Sequence, residues 1–397
     1  MTKALSGIRV LDLSRVLAGP WCTQMLGDLG AEIIKIEQPG KGDDTRSWGP
    51  PWHGEGEDRL SAYYLAANRN KKSVAIDISK PEGQALIREL ALKCDVLVEN
   101  FKVGGLEKYG LDYPTLKQLN PRLVYCSITG FGHTGPRSHQ PGYDLMVQGL
   151  SGLMSITGQP EGEPQKVGVA LVDVMTGLHA AIAVLAALNQ RHETGRGQFI
   201  DMALLDVAVS TLANIGLNQR VTGEAPKRMG NAHPSVVPYQ VFETADGHMI
   251  VAVGNDSQFA HFVDALGLPE LAIDARYTTN TARVDNRGTL IPQLAEVMRT
   301  QPTRHWDAVL TAVNVPAGPI NDIGQAFADP QSVARGLATM AGDRPGVASP
   351  LRLSDSMPDA GTAPPLLGQN SADVLAALLG HDPQEIAALI TKGVVQG

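Results

Sequence analysis

Asp173 is the carboxylate whose setting in the chain most invites chemistry. It follows the short apolar run Val167 to Val172 and precedes the Ala-rich segment Thr176 to Arg191, whose composition favours helix. The pattern therefore predicts a turn from strand to helix. Open α/β sheets hold ligands at the carboxyl ends of their strands, and a helix N-terminus favours a carboxylate by about 0.3 to 1 kcal/mol. Two uses fit such a residue, a working carboxylate or a helix cap, and on pattern alone capping is the commoner one.

Gly130-Phe131-Gly132-His133-Thr134-Gly135 spells G-x-G-x-x-G after a predicted strand. A dinucleotide fingerprint also needs a helix that starts in the loop and meets the pyrophosphate. Here Pro136, Gln140, Pro141 and Gly142 follow, so a flexible or ligand-covering loop fits better. Basic residues gather in the first third as Arg15, Lys35, Arg46, Arg69, Lys71, Lys72, Lys102 and Lys108. Several fall beside predicted strand ends, where a polyphosphate would bind, although solvated surface is the ordinary fate of Lys and Arg. The ten histidines and three cysteines show no metal spacing, and H-E-x-x-H, P-loop and G-x-S-x-G motifs are absent. No metal site is expected.

The elements that must position these residues alternate in type. Ile8 to Leu13, Glu32 to Glu37, Lys72 to Ile78, Asp95 to Glu99 and Leu123 to Ile128 read as strands, with helices from Gly19 to Leu29 and Pro81 to Lys93 between them. The order predicts an α/β fold with a Rossmann-like open parallel sheet. From about Arg220 the texture changes. Val236 to Glu243 and His248 to Val253 read as a hairpin around Asp246-Gly247, followed by helices through Asn314, as in a second, smaller α+β domain. Pro-containing linkers, Pro345 to Pro350 and Pro358 to Pro365, precede a last helical stretch, Asn370 to Leu379.

A chain of 397 residues with a formal net charge of -8 suits a two-domain globular protein and argues against nucleic acid or an anionic membrane as the main partner. Cys22, Cys94 and Cys126 are too far apart and odd in number for a disulfide framework, so a reducing, cytoplasmic setting is expected. Met1 to Val10 lacks the pattern of a secretory signal. The apolar stretch Leu178 to Leu188 is short for a bilayer and reads as a buried helix.

Taken in order, the motifs resemble the class III coenzyme A transferases, the formyl-CoA transferase or carnitine CoA-transferase family. The resemblance covers nearly the whole chain. It rests on Gly7-Ile8-Arg9-Val10-Leu11-Asp12, Leu17-Ala18-Gly19-Pro20, Leu29 to Glu37, Gly42 to Arg46, Asn70 to Ser73, Val98-Glu99-Asn100-Phe101, Gly142-Tyr143-Asp144, Thr194 to Gln198 and Pro365 to Gly368. Within the family it is most similar to the succinyl-CoA-dependent dicarboxylate branch, which includes the succinate-hydroxymethylglutarate CoA-transferases. That similarity runs through Asn68 to Lys72, Val237-Pro238-Tyr239-Gln240 and Pro316 to Ile320.

The resemblance implies that Asp173 is the nucleophile, followed as the family requires by Gly177, an apolar helix and the turn Thr194 to Gln198. A solvated carboxylate, pKa about 3.9, is ionised at neutral pH and needs no partner base. The family's coenzyme A contacts fall on Val16, Leu17, Ala18, Gln38, Ile76, Asn100, Phe101, Lys108 and Tyr143, with Lys108 suited to a phosphate. Formyl-CoA members often carry basic residues at the places of Gln38 and Ser79, which points to Arg46, Lys72 or Lys80 as substitutes. A second carboxylate on the substrate would need a cation, for which Arg46 and Arg228 are candidates. His233, in the short segment Gly230 to His233 that stands where relatives have a glycine-rich loop, is a further substrate candidate. Racemases of the same fold carry a His where this chain has Tyr143, a poor base at neutral pH. No permanently bound cofactor is implied, since coenzyme A is a substrate. The implied architecture is a large domain made of residues 1-219 with a C-terminal return over 326-397, a small domain over 220-325, and an interlaced homodimer.

Overall fold

The strand segments are aliphatic and β-branched runs with polar residues mostly at one end, the composition of strands covered on both faces. In the computed structural model, which describes residues 2–358 and 361–397, they form a seven-stranded sheet. Its order is Val395–Gln396, Lys71–Ile76, Glu32–Glu37, Arg9–Asp12, Val96–Glu99, Val124–Thr129 and Phe199–Ala203. All neighbours are parallel except Val395–Gln396, which pairs antiparallel with Lys71–Ile76. The chain builds outward from Arg9–Asp12 first to one side and then to the other. The reversal lies between Arg9–Asp12 and Val96–Glu99, and the crevice at their carboxyl ends is where such sheets bind ligands.

Alternate residues of each strand enter two separate cores, as the period of two requires. Leu11, Ile34, Leu97 and Tyr125 belong to one; Val10, Ile33, Val96 and Cys126 belong to the other. Helices Ala18–Asp28 and Leu171–Thr194 pack together over the second core. Their approach is close because residue 177 is glycine: a Cβ there would lie 2.7 Å from Ala18 O. The first helix ends at Gly30, whose φ of +102° suits glycine alone.

The chain divides into two compact units, one of Met1–Leu153, Lys166–Thr222 and Pro330–Gly397, the other of Met154–Gln165 and Gly223–Asp329. The second contains the expected hairpin, Tyr239–Glu243 with His248–Ala252, and a third antiparallel strand, Ala317–Pro319, that the sequence pattern does not suggest. Helices Asp256–Ala265, Arg287–Met298 and Thr303–Ala312 cover it around Phe242, Met249, Phe259 and Trp306.

Several expectations need correction. No strand covers 167–172; the helix begins at Leu171 and runs 24 residues to Thr194. It is thus longer than its apolar centre, and by length and composition alone could cross a membrane, with 44% of its most apolar window buried. Its packed face carries Ala180, Val184 and Leu188, while Ile182 is exposed. The stretch Pro345 to Pro350 is partly strand, since Ala338–Ala341 pairs with Arg344–Val347. The linker Pro358 to Pro365 includes 359 and 360, outside the described residues. The last predicted helix resolves into Ser371–Val374 and a π-turn, Leu375–Leu379. It is followed by an unforeseen helix, Pro383–Thr391, opened by an Asp382/Glu385 capping box.

Candidate active site

At the carboxyl ends of the central strands the aliphatic runs give way to buried polar residues that satisfy one another. Asp12 accepts from Ser14 N at 3.0 Å, Thr23 Oγ1 at 2.6 Å and Lys71 Nζ at 3.1 Å. Lys35 Nζ donates to Ser14 O and to Asp43 Oδ2, both at 2.9 Å. Burial opposes the charge on Asp43, but Lys35 and the Thr45 hydrogen bonds win and lower its pKa to about 2. These groups pin the turn Leu13 to Leu17, whose Val16 has a φ of +71°, a conformation a β-branched residue adopts only under compulsion.

That turn forms one wall of a cavity of about 440 Å3. Val16, Leu17, Ala18, Asn100, Phe101, Lys108, Tyr143 and Asp173 all line it, so the structure brings together eight of the residues expected from sequence. Asn100 is fixed by a pair of bonds to the Arg15 backbone, 2.9 Å from N and 2.7 Å to O. The loop Gly130 to Gly142, which contains no helix, supplies Gly130, Ser138, Gln140, Pro141 and Gly142 to the same cavity. It folds back so tightly that a Cβ on Gly142 would collide with Gly130 Cα. Of the G-x-G-x-x-G motif itself, Gly130 lines this cavity.

Gln38 and Ile76 line a second cavity, of about 300 Å3, together with Asp77, Ser79 and Tyr109. Arg15 and Phe101 border both cavities. The Arg15 guanidinium lies 5.7 Å from the Phe101 ring centroid and 2.9 Å from Asp44.

Asp173 sits in the first turn of Leu171–Thr194, partly buried, and does not cap it. The N-cap position is Ala170, and the capping is done by Asp144, whose Oδ2 accepts Val172 N at 2.8 Å and Asp173 N at 3.1 Å. Burial first, and the Asp144 charge second, raise the Asp173 pKa to about 7. The expectation of a carboxylate fully ionised at neutral pH is therefore corrected, because low-dielectric surroundings disfavour the charged form. Tyr63 lies within electrostatic reach, its own pKa raised by burial and then by Asp173.

The proposed substrate cations are committed elsewhere. Arg46 is held by partners within the protein. Its guanidinium binds Glu37 through Nε at 2.8 Å and Nη2 at 2.7 Å, donates to Tyr64 Oη and Pro365 O, and lies 3.9 Å from the Tyr64 ring centroid. Arg228 donates to three backbone carbonyls, Ser155 O, Gln159 O and Gly162 O, within the second unit. His233, in the same unit, accepts from Ser235 N through Nδ1 and packs on Tyr239. Of the suggested phosphate ligands, Lys72 binds Glu32, and Lys80 binds Lys392 O and Gly393 O. The cations that do line the Asp173 cavity are Arg15, Lys102 and Lys108. Arg15 and Lys102 stood in the basic cluster, but no spacing distinguished them from their neighbours.

The chain matches the family model of CoA-transferase family III over residues 5–371. It is 50% identical over 386 residues to a succinate–glutarate CoA-transferase of Agrobacterium fabrum, covering 94% of this chain and 95% of that one. To a succinyl-CoA:glutarate CoA-transferase of Homo sapiens it is 45% identical over 404 residues, covering 99% and 90% of the two chains. A crystal structure of a CAIB/BAIF family protein from Brucella suis superposes with a TM-score of 0.86 at 48% identity, covering 95% of this chain and 100% of that one.

Proposed function

The chain belongs to CoA-transferase family III and is a CoA-transferase, and on that premise we propose that it moves coenzyme A from succinyl-CoA to a small dicarboxylic acid through Asp173. The observation that carries the reading is that Asp173 faces the same cavity as Val16 to Ala18, Asn100, Phe101 and Lys108. The Asp173 carboxylate attacks the thioester carbonyl, the C–S bond breaks, and an acyl-aspartyl anhydride and coenzyme A thiolate result. The thiolate then attacks the aspartyl carbonyl, releases the first acid and leaves an aspartyl-CoA thioester. The acceptor carboxylate attacks that thioester, and the freed thiolate takes the new acyl group and restores Asp173. One thioester is broken for each one formed, so no ATP is consumed.

Burial serves this chemistry in a specific way. An Asp173 with a pKa near 7 is poorly solvated, and its ionised fraction is a better nucleophile than a carboxylate in water. Each tetrahedral oxyanion needs donors worth about 3 to 4 kcal/mol apiece. The start of helix Ala18–Asp28 has no side-chain cap and borders the cavity, so its backbone N–H groups fit that task. Those at the start of Leu171–Thr194 are spent on Asp144, Val169 O and Ala170 O. Arg15, Lys102 and Lys108 fit the phosphates of coenzyme A, and the cavity of Gln38 and Ile76 fits its adenosine end.

Two copies of the chain would associate through the helices Asp144–Leu150, Leu171–Thr194, Leu204–Ser210 and Ala213–Thr222. These pack against one another and expose Leu145, Leu150, Ile182, Val209, Leu217 and Val221. Light scattering that finds a monomer counts against this.

The test of the activity is exchange of succinyl-CoA with glutarate, hydroxymethylglutarate, malate, itaconate and oxalate, alongside peptide mass mapping of the trapped adduct. Coenzyme A on the peptide that holds Asp173 supports the mechanism. An adduct elsewhere, or full activity in Asp173→Ala, refutes it.

A further inference from the structure

Helix Leu171–Thr194 begins without a capping side chain of its own, at the position where its first turn must present Asp173 to the cavity. Asp144, 29 residues earlier, supplies the cap from another element. Its Oδ2 takes the N–H groups of Val172 and Asp173, and its Oδ1 takes Gln148 Nε2 at 2.5 Å. Gln148 is fully buried, and its own Oε1 accepts Val167 N at 2.9 Å, which ties in the chain just before the helix. A carboxylate at a helix N-terminus is a stabilising arrangement, yet here it costs something, because it sets a second negative charge beside Asp173.

We propose that Asp144 is a positioning residue for the transfer reaction: with Gln148 it fixes the first turn of the helix, and its charge, set beside a carboxylate already desolvated by burial, adds to the nucleophilicity of Asp173. The inference rests on Asp173 being the nucleophile. Tyr63 interacts electrostatically with Asp173, and Tyr143, Arg15, Asp44, Lys102 and Lys108 line the same cavity. Among the described residues, Asp144 is the charged neighbour that adds to the effect of burial in raising the Asp173 pKa. Its carboxylate is taken up by the N–H groups of Val172 and Asp173 and by the Gln148 amide.

Three variants separate geometry from charge. Asp144→Ala loses the acceptor and is expected to cut kcat by about 10- to 100-fold, the scale of a small misplacement of a reacting group. Asp144→Asn keeps an oxygen for the helix but removes the charge, and the acidic limb of its kcat/KM profile is expected to move to lower pH by about 0.5 to 1. The new amide of Asp144→Asn would oppose its NH2 to that of Gln148, so the double variant Asp144→Asn with Gln148→Glu restores a donor facing an acceptor and is expected to recover most of the parental kcat. An acidic limb in Asp144→Asn that overlays the parent overturns the inference, and so does a double variant no faster than Asp144→Ala. The parent enzyme is run first with adduct trapping. If the parent forms no adduct on Asp173 the nucleophile reading itself fails; if it does, the variants judge Asp144 alone.

Discussion

Asp43 accepts the backbone N–H of Val16 at 3.2 Å from Oδ1 and 3.3 Å from Oδ2, while Lys35 neutralises the same carboxylate from the interior. This is how a valine comes to hold a φ of +71° at the lip of the cavity. Lys35 and Asp43 have fully buried side chains, so the pair stands or falls together. Taking one partner from a buried ion pair strands the other charge and costs about 3 to 5 kcal/mol, whereas the intact pair contributes little net stability.

Asp43→Asn is therefore expected to lower the urea midpoint strongly and, in whatever remains folded, to raise KM for acyl-CoA several-fold as the Val16 turn relaxes. Urea unfolding and initial rates check both. The acid limit follows from the same carboxylate. With its pKa depressed to about 2, the stability Asp43 contributes is present above the unfolded value near 3.8 and is lost as pH falls towards 2.

Asp173 has the opposite sign. Its pKa of about 7 lies above the unfolded value, so the folded protein holds the proton more tightly. That contribution is complete below pH 3.8 and is lost as pH rises through 7. Activity requires the ionised form, so kcat/KM is expected to climb with an apparent pKa near 7 in the free enzyme. Stability on this account falls over the same interval. Asp173→Asn abolishes exchange and, at about pH 8, is expected to unfold at a higher temperature than the parent, by an amount reflecting roughly 2 to 4 kcal/mol. A variant less stable than the parent at that pH would contradict the burial argument.

The parallel sheet was readable from sequence because its strands are aliphatic runs separated by helices with plain ends, as in Glu32 to Glu37 after Gly30. The cavity-lining set was readable through the family motifs, which lie on the turns that follow those strands. What escaped was decided by contacts distant in sequence. Asp144 and Asp173 are both acidic residues near a helix start, and only the three-dimensional approach shows that the first caps the helix bearing the second. Arg46 looked free because its partners, Glu37, Tyr64 and Pro365, come from three separate segments. The strand Ala317–Pro319 carries glycine and proline, which depress strand propensity; its pairing with Met249 to Val251 overrides that preference.

Gly177→Ala sets helix propensity against packing. Alanine would gain about 1 kcal/mol in a helix interior. Its Cβ, however, would meet Ala18 O at 2.7 Å and Trp21 Cβ at 3.0 Å, and overpacking of that kind costs about 1 to 3 kcal/mol. The balance predicts mild destabilisation. Relief by sliding helix Ala18–Asp28 would displace the Leu17 and Ala18 backbone, so KM for acyl-CoA is expected to rise while the pH profile keeps its shape. Calorimetry and a KM series decide it; a Tm above the parent's would show that the two helices can separate without cost.

Arg46 offers the sharpest contrast between a substrate ligand and a structural cation. If it bound the distal carboxylate of a dicarboxylic acid, Arg46→Lys would raise KM for the acceptor and leave folding alone. Its bonds to Glu37, Tyr64 and Pro365 and its stacking on the Tyr64 ring predict the reverse. Lysine cannot reproduce the two-pronged contact with Glu37, and the buried Glu37 would lose much of its compensation. The substitution is expected to cost about 2 to 4 kcal/mol of stability, read from urea unfolding, with acceptor KM changed less than about twofold in the folded fraction, since a residue that makes no substrate contact removes no binding energy. Because Pro365 O is among the partners, limited proteolysis near residue 365 should also accelerate in Arg46→Lys, a loosening that a substrate-binding role does not predict.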